Sequence, residues 1–192
     1  KKRGFTFFLS KDWYDYAKKI NINLIPYDYF FSKSKLKKLN LNGVIFTGGN
    51  DLYKKNKKKE NLFRDKSELR LLKYMIENNC SILGVCRGFQ LISDYFKSEL
   101  IKTKGHVKVN HLLNLEKSKY TNTKILKVNS FHNYCVKSLP EKFNTIAKYL
   151  DQSIEIAENI DKNILCLMFH PERKNISQAQ IDNYIKKFFK IK

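Results

Sequence analysis

The stretch that decides the fold is Ile82-Leu83-Gly84-Val85-Cys86-Arg87-Gly88-Phe89-Gln90. In it an apolar run ends at a cysteine that stands between two glycines, and a helical pattern follows directly. This order predicts a strand, a sharp elbow and a helix, with the residue at the elbow presented as a nucleophile. The N-terminus of the helix would face the sulfur of Cys86 and favour the thiolate. A buried structural cysteine in a plain strand-to-helix turn is the competing interpretation.

Outside this stretch, short apolar runs alternate with helical patterns, which predicts an α/β fold. Apolar runs predict strands at residues 4–9, 23–26, 43–47, 81–85 and 164–169. Helical periodicity predicts helices at residues 13–20, 62–77, 88–96 and 181–189. Alternating patterns predict antiparallel strands at residues 107–113, 124–129, 145–150 and 153–158. We therefore expect a mostly parallel central sheet with helices on both faces and appended antiparallel strands. No repeat or linker pattern divides the chain, so we expect one domain over residues 1–192.

The charge of the chain is strongly positive, at +20, with 38 Lys and Arg against 18 Asp and Glu. Only five of the basic residues are Arg, the residue on which nucleic-acid readers rely for bidentate contacts. Lys, Asn and Ile are together what AT-rich codons encode, which favours a solvated surface shaped by genome composition over a nucleic-acid surface. A positive field that draws in a small anionic substrate fits the same charge. We expect no nucleic-acid partner.

Membrane and secretory classes are disfavoured by the apolar pattern. No apolar run approaches the roughly 18 residues of a spanning helix, and the run at residues 4–9 is too short for a signal peptide. The cysteines, at positions 80, 86, 135 and 166, form no CxxC pair and show no metal-ligand spacing. We therefore expect a reducing, cytoplasmic setting, no disulfide and no metal. His111 is expected on the surface or in a strand.

A candidate base follows the last predicted strand, in Phe169-His170-Pro171-Glu172. A thiol nucleophile needs a base, and the base needs a group that fixes its tautomer. Ligand sites of open α/β sheets lie beyond the carboxyl ends of the strands, where both Cys86 and His170 are expected. Glu172 can accept from one imidazole nitrogen while the other nitrogen faces Cys86. A surface histidine is the alternative for His170 alone.

A glycine turn follows a third predicted strand, in Thr47-Gly48-Gly49-Asn50-Asp51. Such a turn exposes backbone N–H groups, which can stabilise an oxyanion. The N–H of Arg87, directly after the candidate nucleophile, would supply a second donor. The competing interpretation is a plain tight turn capped by Asn50 and Asp51.

Together these segments resemble the class I glutamine amidotransferase-like superfamily, and within it the γ-glutamyl hydrolase branch. The resemblance covers nearly the whole chain. Weaker matching segments are Gly105-His106-Val107, Val128-Asn129-Ser130-Phe131-His132 and Asp151-Gln152-Ser153-Ile154-Glu155. Two departures affect the substrate pocket, since Phe169 and Gln152 stand where the family often has Trp and Gly.

The resemblance implies a flavodoxin-like fold and a role for each matching residue. Cys86 would be the nucleophile, His170 the base and Glu172 its orienting group. The backbone N–H groups of Gly49 and Arg87 would form the oxyanion hole. The resemblance assigns substrate contacts to Gly48, Asn50, Gln90, Asn129, Ser130, Phe131 and His132. It implies neither a cofactor nor a metal.

The implied activity is hydrolysis of a γ-glutamyl amide in a small molecule, with release of glutamate. The positive charge suggests an anionic substrate, such as a nucleotide that carries a γ-glutamylated phosphoramidate. Candidate phosphate contacts are Arg87, Lys104, His106 and Arg173, and for each of these except Arg87 a solvated surface group is the favoured alternative. One alternative is a glutaminase subunit that supplies ammonia to a separate synthase. Another is a basic binding protein on a catalytically silent fold. The oligomeric state cannot be read from the sequence.

Overall fold

The computed structural model describes residues 9–191. The helices of this part of the chain are α1 (Lys11–Lys19), α2 (Lys33–Lys38), α3 (Lys59–Glu77), α4 (Arg87–Tyr95) and α5 (Gln178–Phe189). The strands are β1 (Gly43–Phe46), β2 (Ser81–Val85), β3 (Leu100–Lys102), β4 (Val107–Asn114), β5 (Ile125–Phe131), β6 (Tyr134–Val136), β7 (Asn144–Lys148), β8 (Ile154–Asn159) and β9 (Ile164–Leu167). No helix in residues 9–191 is both long and apolar enough to span a membrane.

The central sheet has five strands in the order β1-β2-β9-β8-β7. β1, β2 and β9 are parallel, β8 is antiparallel to β9, and β7 is antiparallel to β8. The α/β prediction with appended antiparallel strands is thus confirmed for β7 and β8. It is wrong for β4 and β5, which pair with each other in a separate two-stranded sheet, and β3 pairs with β6 in another.

Two apolar layers cover the sheet, because side chains alternate between its faces along each strand. Ile82 of β2 packs in a cluster with buried residues of α3 and α4, among them Leu72 and Phe89. The next residue, Leu83, packs on the other face with α1 and α5, which contribute Trp13 and Tyr184. The β4–β5 pair covers this second face as well. The prediction of helices on both faces is confirmed.

Some short elements differ from the sequence-based expectations. Residues 23–26 are irregular rather than a strand, since they pair with none of the described strands and Pro26 lacks an N–H to donate. The helix α2 was not predicted; the hydroxyl of Ser32 accepts from the N–H of Lys35 and caps it. The strands β3 and β6 were also missed. The strand predicted at residues 4–9 lies outside the described residues, except for Leu9, which is irregular.

Candidate active site

Cys86 lies on a strained elbow between β2 and α4. Its backbone adopts φ 51° and ψ −104°, a conformation that non-glycine residues rarely take, and its side chain is buried. Its N–H donates to the carbonyl of Leu167 on β9 at 2.8 Å, which fixes the elbow to the sheet. A Cβ on Gly88 would lie 2.0 Å from the carbonyl oxygen of Phe46, so the elbow requires glycine there. The predicted strand, elbow and helix are confirmed.

His170 lies directly beyond β9 and contacts both other members of the predicted triad. Its Nδ1 donates to Oε1 of Glu172 at 2.7 Å, and its side chain lies close enough to Cys86 for the two to interact electrostatically. Burial opposes a charge on the imidazole, but the interactions with Cys86 and with the Glu172 carboxylate outweigh burial and raise the pKa of His170 to about 9. The imidazole therefore carries a proton at neutral pH, which suits it to protonate a leaving group.

The backbone of His170 is held by two asparagine side chains. Asn129 accepts from the N–H of His170 at 2.9 Å and donates to its carbonyl at 2.8 Å. Asn175 donates to the same carbonyl at 3.0 Å and accepts from the N–H of Asn129 at 2.8 Å. The side chain of Asn129, predicted near the substrate, thus positions the base. Asn175 was missed because nothing in its local sequence distinguishes it from a surface asparagine.

The glycine turn lies against the ring of His170. A Cβ on Gly48 would lie 2.5 Å from Cε1 of His170, and Gly49 adopts φ 134°. Nη2 of Arg64 donates to the carbonyl of Gly48 at 3.1 Å and to that of Thr47 at 3.2 Å. Because the C=O and the following N–H of a trans peptide point in opposite directions, this contact turns the N–H of Gly49 away from Arg64. Sequence reasoning gave no indication of this role for Arg64.

An ion network lies behind the turn and the elbow; we define it as Arg64, Asp65, Glu68 and Arg87. Nε of Arg64 donates to Glu68 at 2.7 Å, and the guanidinium of Arg87 donates to both Glu68 and Asp65. Arg87 is 1% exposed. Its predicted role as a phosphate contact is therefore wrong, because carboxylates of α3 hold the guanidinium. Its backbone N–H, at the first position of α4, has no partner inside the helix and stays a candidate oxyanion donor.

A second buried group consists of His106, His111, His132 and Glu155, which we call the histidine cluster. One ligand-type atom from each residue lies within 4.8 Å of the others. His106 is 2% exposed, with Nε2 3.2 Å from a carboxylate oxygen of Asp151, so its predicted role as a phosphate contact is wrong. His111 lies in β4, so the prediction of a strand position is confirmed, and the alternative of a surface position is wrong because the residue is fully buried. These are the side chains of the described site region that could hold a metal.

The other predicted substrate contacts are placed as follows, and their roles stay predictions. Gln90 is buried and donates to the carbonyl of Tyr134 at 3.1 Å, and Asn50 donates to Asn61 at 3.1 Å. The hydroxyl of Ser130 donates to the carbonyl of His106 at 2.8 Å. The ring of Phe131 lies edge-on to that of His170, with 6.0 Å between centroids.

Two of the predicted phosphate contacts are exposed. The guanidinium of Arg173 lies over the Phe131 ring at 4.6 Å and is open to solvent, close to His170. Lys104 is exposed in the turn before β4. Of the four candidates, these two are free to meet an anionic substrate.

The family of the chain follows from a comparison with known proteins. Residues 10–191 match the family model described as glutamine amidotransferase class-I. The chain belongs to this family. The crystal structure of a glutamine amidotransferase from Thermotoga maritima matches with a TM-score of 0.74 at 12% identity, covering 92% of this chain and 91% of that one. At this identity the likeness bears on the fold, and it confirms the flavodoxin-like amidotransferase architecture.

Two curated relatives of this amidotransferase differ in what their names describe. The γ-glutamyl-CDP-amidate hydrolase of Campylobacter jejuni is 30% identical over 172 residues, which cover 89% of this chain and 80% of the relative. The second relative is one subunit of a glutamine-hydrolysing GMP synthase from Methanosphaera stadtmanae. It is 30% identical over 157 residues, which cover 80% of this chain and 76% of the relative.

Proposed function

We propose that this amidotransferase hydrolyses a γ-glutamyl amide through a covalent intermediate on Cys86. The observation that carries the proposal is the placement of His170, which donates to the carboxylate of Glu172 and interacts electrostatically with Cys86. A nucleophile, a base and a group that orients the base are the parts that covalent acyl transfer requires.

The reaction runs in two steps of acyl transfer. The thiolate of Cys86 attacks the γ-carbonyl carbon, and the C=O electrons move to the oxygen. His170 gives its proton to the leaving nitrogen as the C–N bond breaks, which leaves a γ-glutamyl thioester and a free amine or amidate. His170, now neutral, takes a proton from water as the water attacks the thioester. Breakage of the C–S bond releases glutamate and the thiolate of Cys86, and His170 keeps the proton taken from water, which restores the starting pair of thiolate and protonated imidazole.

The developing oxyanion would be stabilised by the backbone N–H groups of Gly49 and Arg87. The contact of Arg64 with the Gly48 carbonyl fixes the peptide that carries the first donor, and the start of α4 fixes the second. Loss of one such donor costs about 3 kcal/mol of transition-state stabilisation in comparable enzymes. Arg64 is therefore a positioning residue in this proposal.

For the substrate, we propose γ-glutamyl-CDP-amidate or a close analogue, which would place the chain in capsule phosphoramidate biosynthesis. Support comes from the similarity to the Campylobacter jejuni hydrolase and from the net charge of +20, which suits an anionic nucleotide. Among the candidate phosphate contacts, Arg173 is exposed and lies over the Phe131 ring beside His170. It is therefore the candidate that we propose to bind a phosphate of the substrate. Replacing it with Ala should raise KM for the nucleotide but not for a neutral γ-glutamyl amide.

A second candidate function is supply of ammonia to a synthase partner, which the similarity to the GMP synthase relative favours. The same Cys86 chemistry would then act on glutamine. Activity measured without a partner distinguishes the two, because a coupled glutaminase is nearly idle by itself.

The test is glutamate release by the wild type and by Cys86→Ala. The substrates are γ-glutamyl-CDP-amidate, glutamine, a γ-glutamyl anilide and a polyglutamate, and Arg173→Ala is assayed on the first and third. We expect Cys86-dependent turnover of the nucleotide above all others, with a KM effect of Arg173→Ala confined to it. Turnover of simple amides alone would remove the nucleotide from the proposal. Turnover that survives Cys86→Ala would overturn the mechanism.

A further inference from the structure

The histidine cluster brings four buried side chains from separate segments to one point. His106 immediately precedes β4, His111 lies within it, His132 immediately follows β5, and Glu155 lies on β8. Nδ1 of His111 and Nε2 of His132 each lie 3.3 Å from Oε1 of Glu155, and Nδ1 of His106 lies 4.0 Å from it. All four residues are at most 2% exposed.

The atoms that meet at this point have no hydrogen-bond partners among the described residues. They are Nδ1 of His106, both ring nitrogens of His111, Nε2 of His132 and both carboxylate oxygens of Glu155. Separations of 3.3 Å without hydrogen bonds mean that the ring N–H directions do not point at the carboxylate. A buried polar atom without a partner is unfavourable, so six of them in one place call for a common partner.

The tautomers of two histidines show what kind of partner is needed. Nδ1 of His132 lies 3.1 Å from the carbonyl of Tyr134, an acceptor, so Nδ1 must carry the proton. Nε2 of His106 faces the Asp151 carboxylate at 3.2 Å and must likewise be the donor. In the neutral rings, the opposite nitrogens therefore present bare lone pairs toward Glu155, which is also an acceptor. Lone pairs and a carboxylate that converge would all be satisfied by one cation held between them.

We propose that the histidine cluster is a structural zinc site with ligands His106, His111, His132 and Glu155. Ligand atoms about 2.0–2.1 Å from a tetrahedral Zn²⁺ are about 3.3 Å from one another, which is the separation of two of the three nitrogens from the Glu155 oxygen. Imidazole and carboxylate are ordinary zinc ligands, and the contacts of His106 and His132 to Asp151 and Tyr134 orient the rings as outer partners of zinc ligands do. The sequence-based expectation of no metal rested on cysteine spacing. That criterion does not detect such a site, because its ligands are histidine and glutamate residues distant in sequence.

The site would be structural because all four positions come from the protein. It would tie the start of β4 and the end of β5, which lie side by side in the antiparallel pair, to β8 of the central sheet. The same region supports the base, since the hydroxyl of Ser130 donates to the carbonyl of His106 and the neighbouring Asn129 holds the backbone of His170. Zinc would therefore stabilise the scaffold without entering the reaction at Cys86.

The test uses the fact that the chain has four histidines, of which one, His170, is outside the cluster. Cys86→Ala/His170→Ala serves as the reference, because it keeps the cluster and removes the thiol-imidazole pair that could bind zinc itself. His111→Asn and Glu155→Gln are then added separately to this reference. Each protein is stripped with a chelator and titrated with Zn²⁺, and with Co²⁺ as a spectroscopic probe. Metal content, Co²⁺ absorption and Tm are measured, with circular dichroism to check folding.

We expect one Zn²⁺ per chain in the reference, the intense visible absorption of tetrahedral Co²⁺, and a Tm higher by about 5–10 °C when Zn²⁺ is a hundredfold above Kd. His111→Asn and Glu155→Gln should weaken binding by at least about 100-fold and remove the Tm response. A folded, stripped reference that binds no Zn²⁺, or binds it equally well in both cluster variants, would overturn the proposal. If the cluster variants fail to fold, binding and the Co²⁺ spectrum of the reference still decide it, since weak octahedral absorption contradicts the site.

Discussion

Two buried polar groups, the ion network and the histidine cluster, contact residues that lie beside His170. They differ in how their charged and polar atoms are paired. In the ion network, Arg64, Glu68 and Arg87 are joined by paired hydrogen bonds, and Arg64 extends to the Gly48 carbonyl beside His170. In the histidine cluster, the atoms that face one another are unpaired. In the network each charged side chain has an oppositely charged partner, although Nε of Arg87 has no hydrogen bond, whereas the proposed zinc ion would supply the missing partner of the cluster. Burial of charge thus indicates a ligand only where the pairing fails.

The largest expected effect comes from breaking the ion network at Arg87. Arg87→Met removes the cation of Asp65 and one of the two cations of Glu68, which should lower the free energy of unfolding by about 3–5 kcal/mol. Urea unfolding measures the change. The matched control is Arg173→Met, an exposed arginine whose replacement should cost no more than about 0.5 kcal/mol. Equal losses in both variants would mean that the network contributes nothing beyond ordinary surface charge.

The next largest effect is expected when zinc is added, and it distinguishes the histidine cluster from the ion network. Zn²⁺ at a hundredfold above Kd should raise the unfolding free energy of the Cys86→Ala/His170→Ala reference, to which the variants below are added, by about 2.7 kcal/mol. Arg87→Met should keep this increment, because the two groups share no residue and act independently. Glu155→Gln should lose most of it. An increment that disappears in Arg87→Met and persists in Glu155→Gln would reverse the assignment of the two groups.

A smaller effect is expected on catalysis from Arg64→Lys. Lysine keeps the charge, but its single nitrogen cannot occupy both the Nε position that bonds Glu68 and the Nη2 position that bonds the two carbonyls, so the Gly49 peptide loses its fixed orientation. We expect kcat to fall about 5- to 30-fold, equivalent to about 1–2 kcal/mol, with KM nearly unchanged. Steady-state kinetics with matched unfolding data separates this from instability. A change confined to KM would contradict the positioning role.

The smallest effect concerns how the activity depends on pH through the protonation of His170, the residue that both groups flank. Its pKa of about 9 means that the imidazole is protonated below that pH and loses its proton above it. The kcat/KM of the wild type should therefore fall as pH rises through about 9. Glu172→Gln removes a carboxylate that raises this pKa and should move the falling limb to lower pH by about one unit or more. A limb that stays in place would show that another group sets it.

The elbow, the glycine turn and the His170–Glu172 pair could be predicted because each is a local pattern. The spacing of the glycines around Cys86 predicts the elbow. The spacing of two residues between His170 and Glu172 predicts that their side chains meet. The alternating β and α patterns likewise predicted the sheet and its helices, since a buried strand is apolar on both faces. The short strands β3 and β6 have three residues each, too few for a period to show.

The two buried groups could not be predicted, since both are products of tertiary packing. Arg87 lies beside the nucleophile in sequence, yet its side-chain partners are on α3, 19 and 22 residues away. The histidine cluster draws on four segments between His106 and Glu155, and each residue alone is typical of an ordinary buried or surface side chain. The phosphate contacts predicted at Arg87 and His106 failed for this reason, because charge in a sequence does not show which way a side chain faces.

The central claim is that γ-glutamyl transfer passes through Cys86, and trapping the intermediate tests it most directly. The wild type is mixed with γ-glutamyl-CDP-amidate, quenched in acid during turnover and digested, and the peptides are analysed by mass spectrometry. We predict a glutamyl thioester on the peptide that carries Cys86, with none on Cys80, Cys135 or Cys166 and none in Cys86→Ala. Steady release of glutamate with no adduct at Cys86, or with an adduct at another cysteine, would contradict the account.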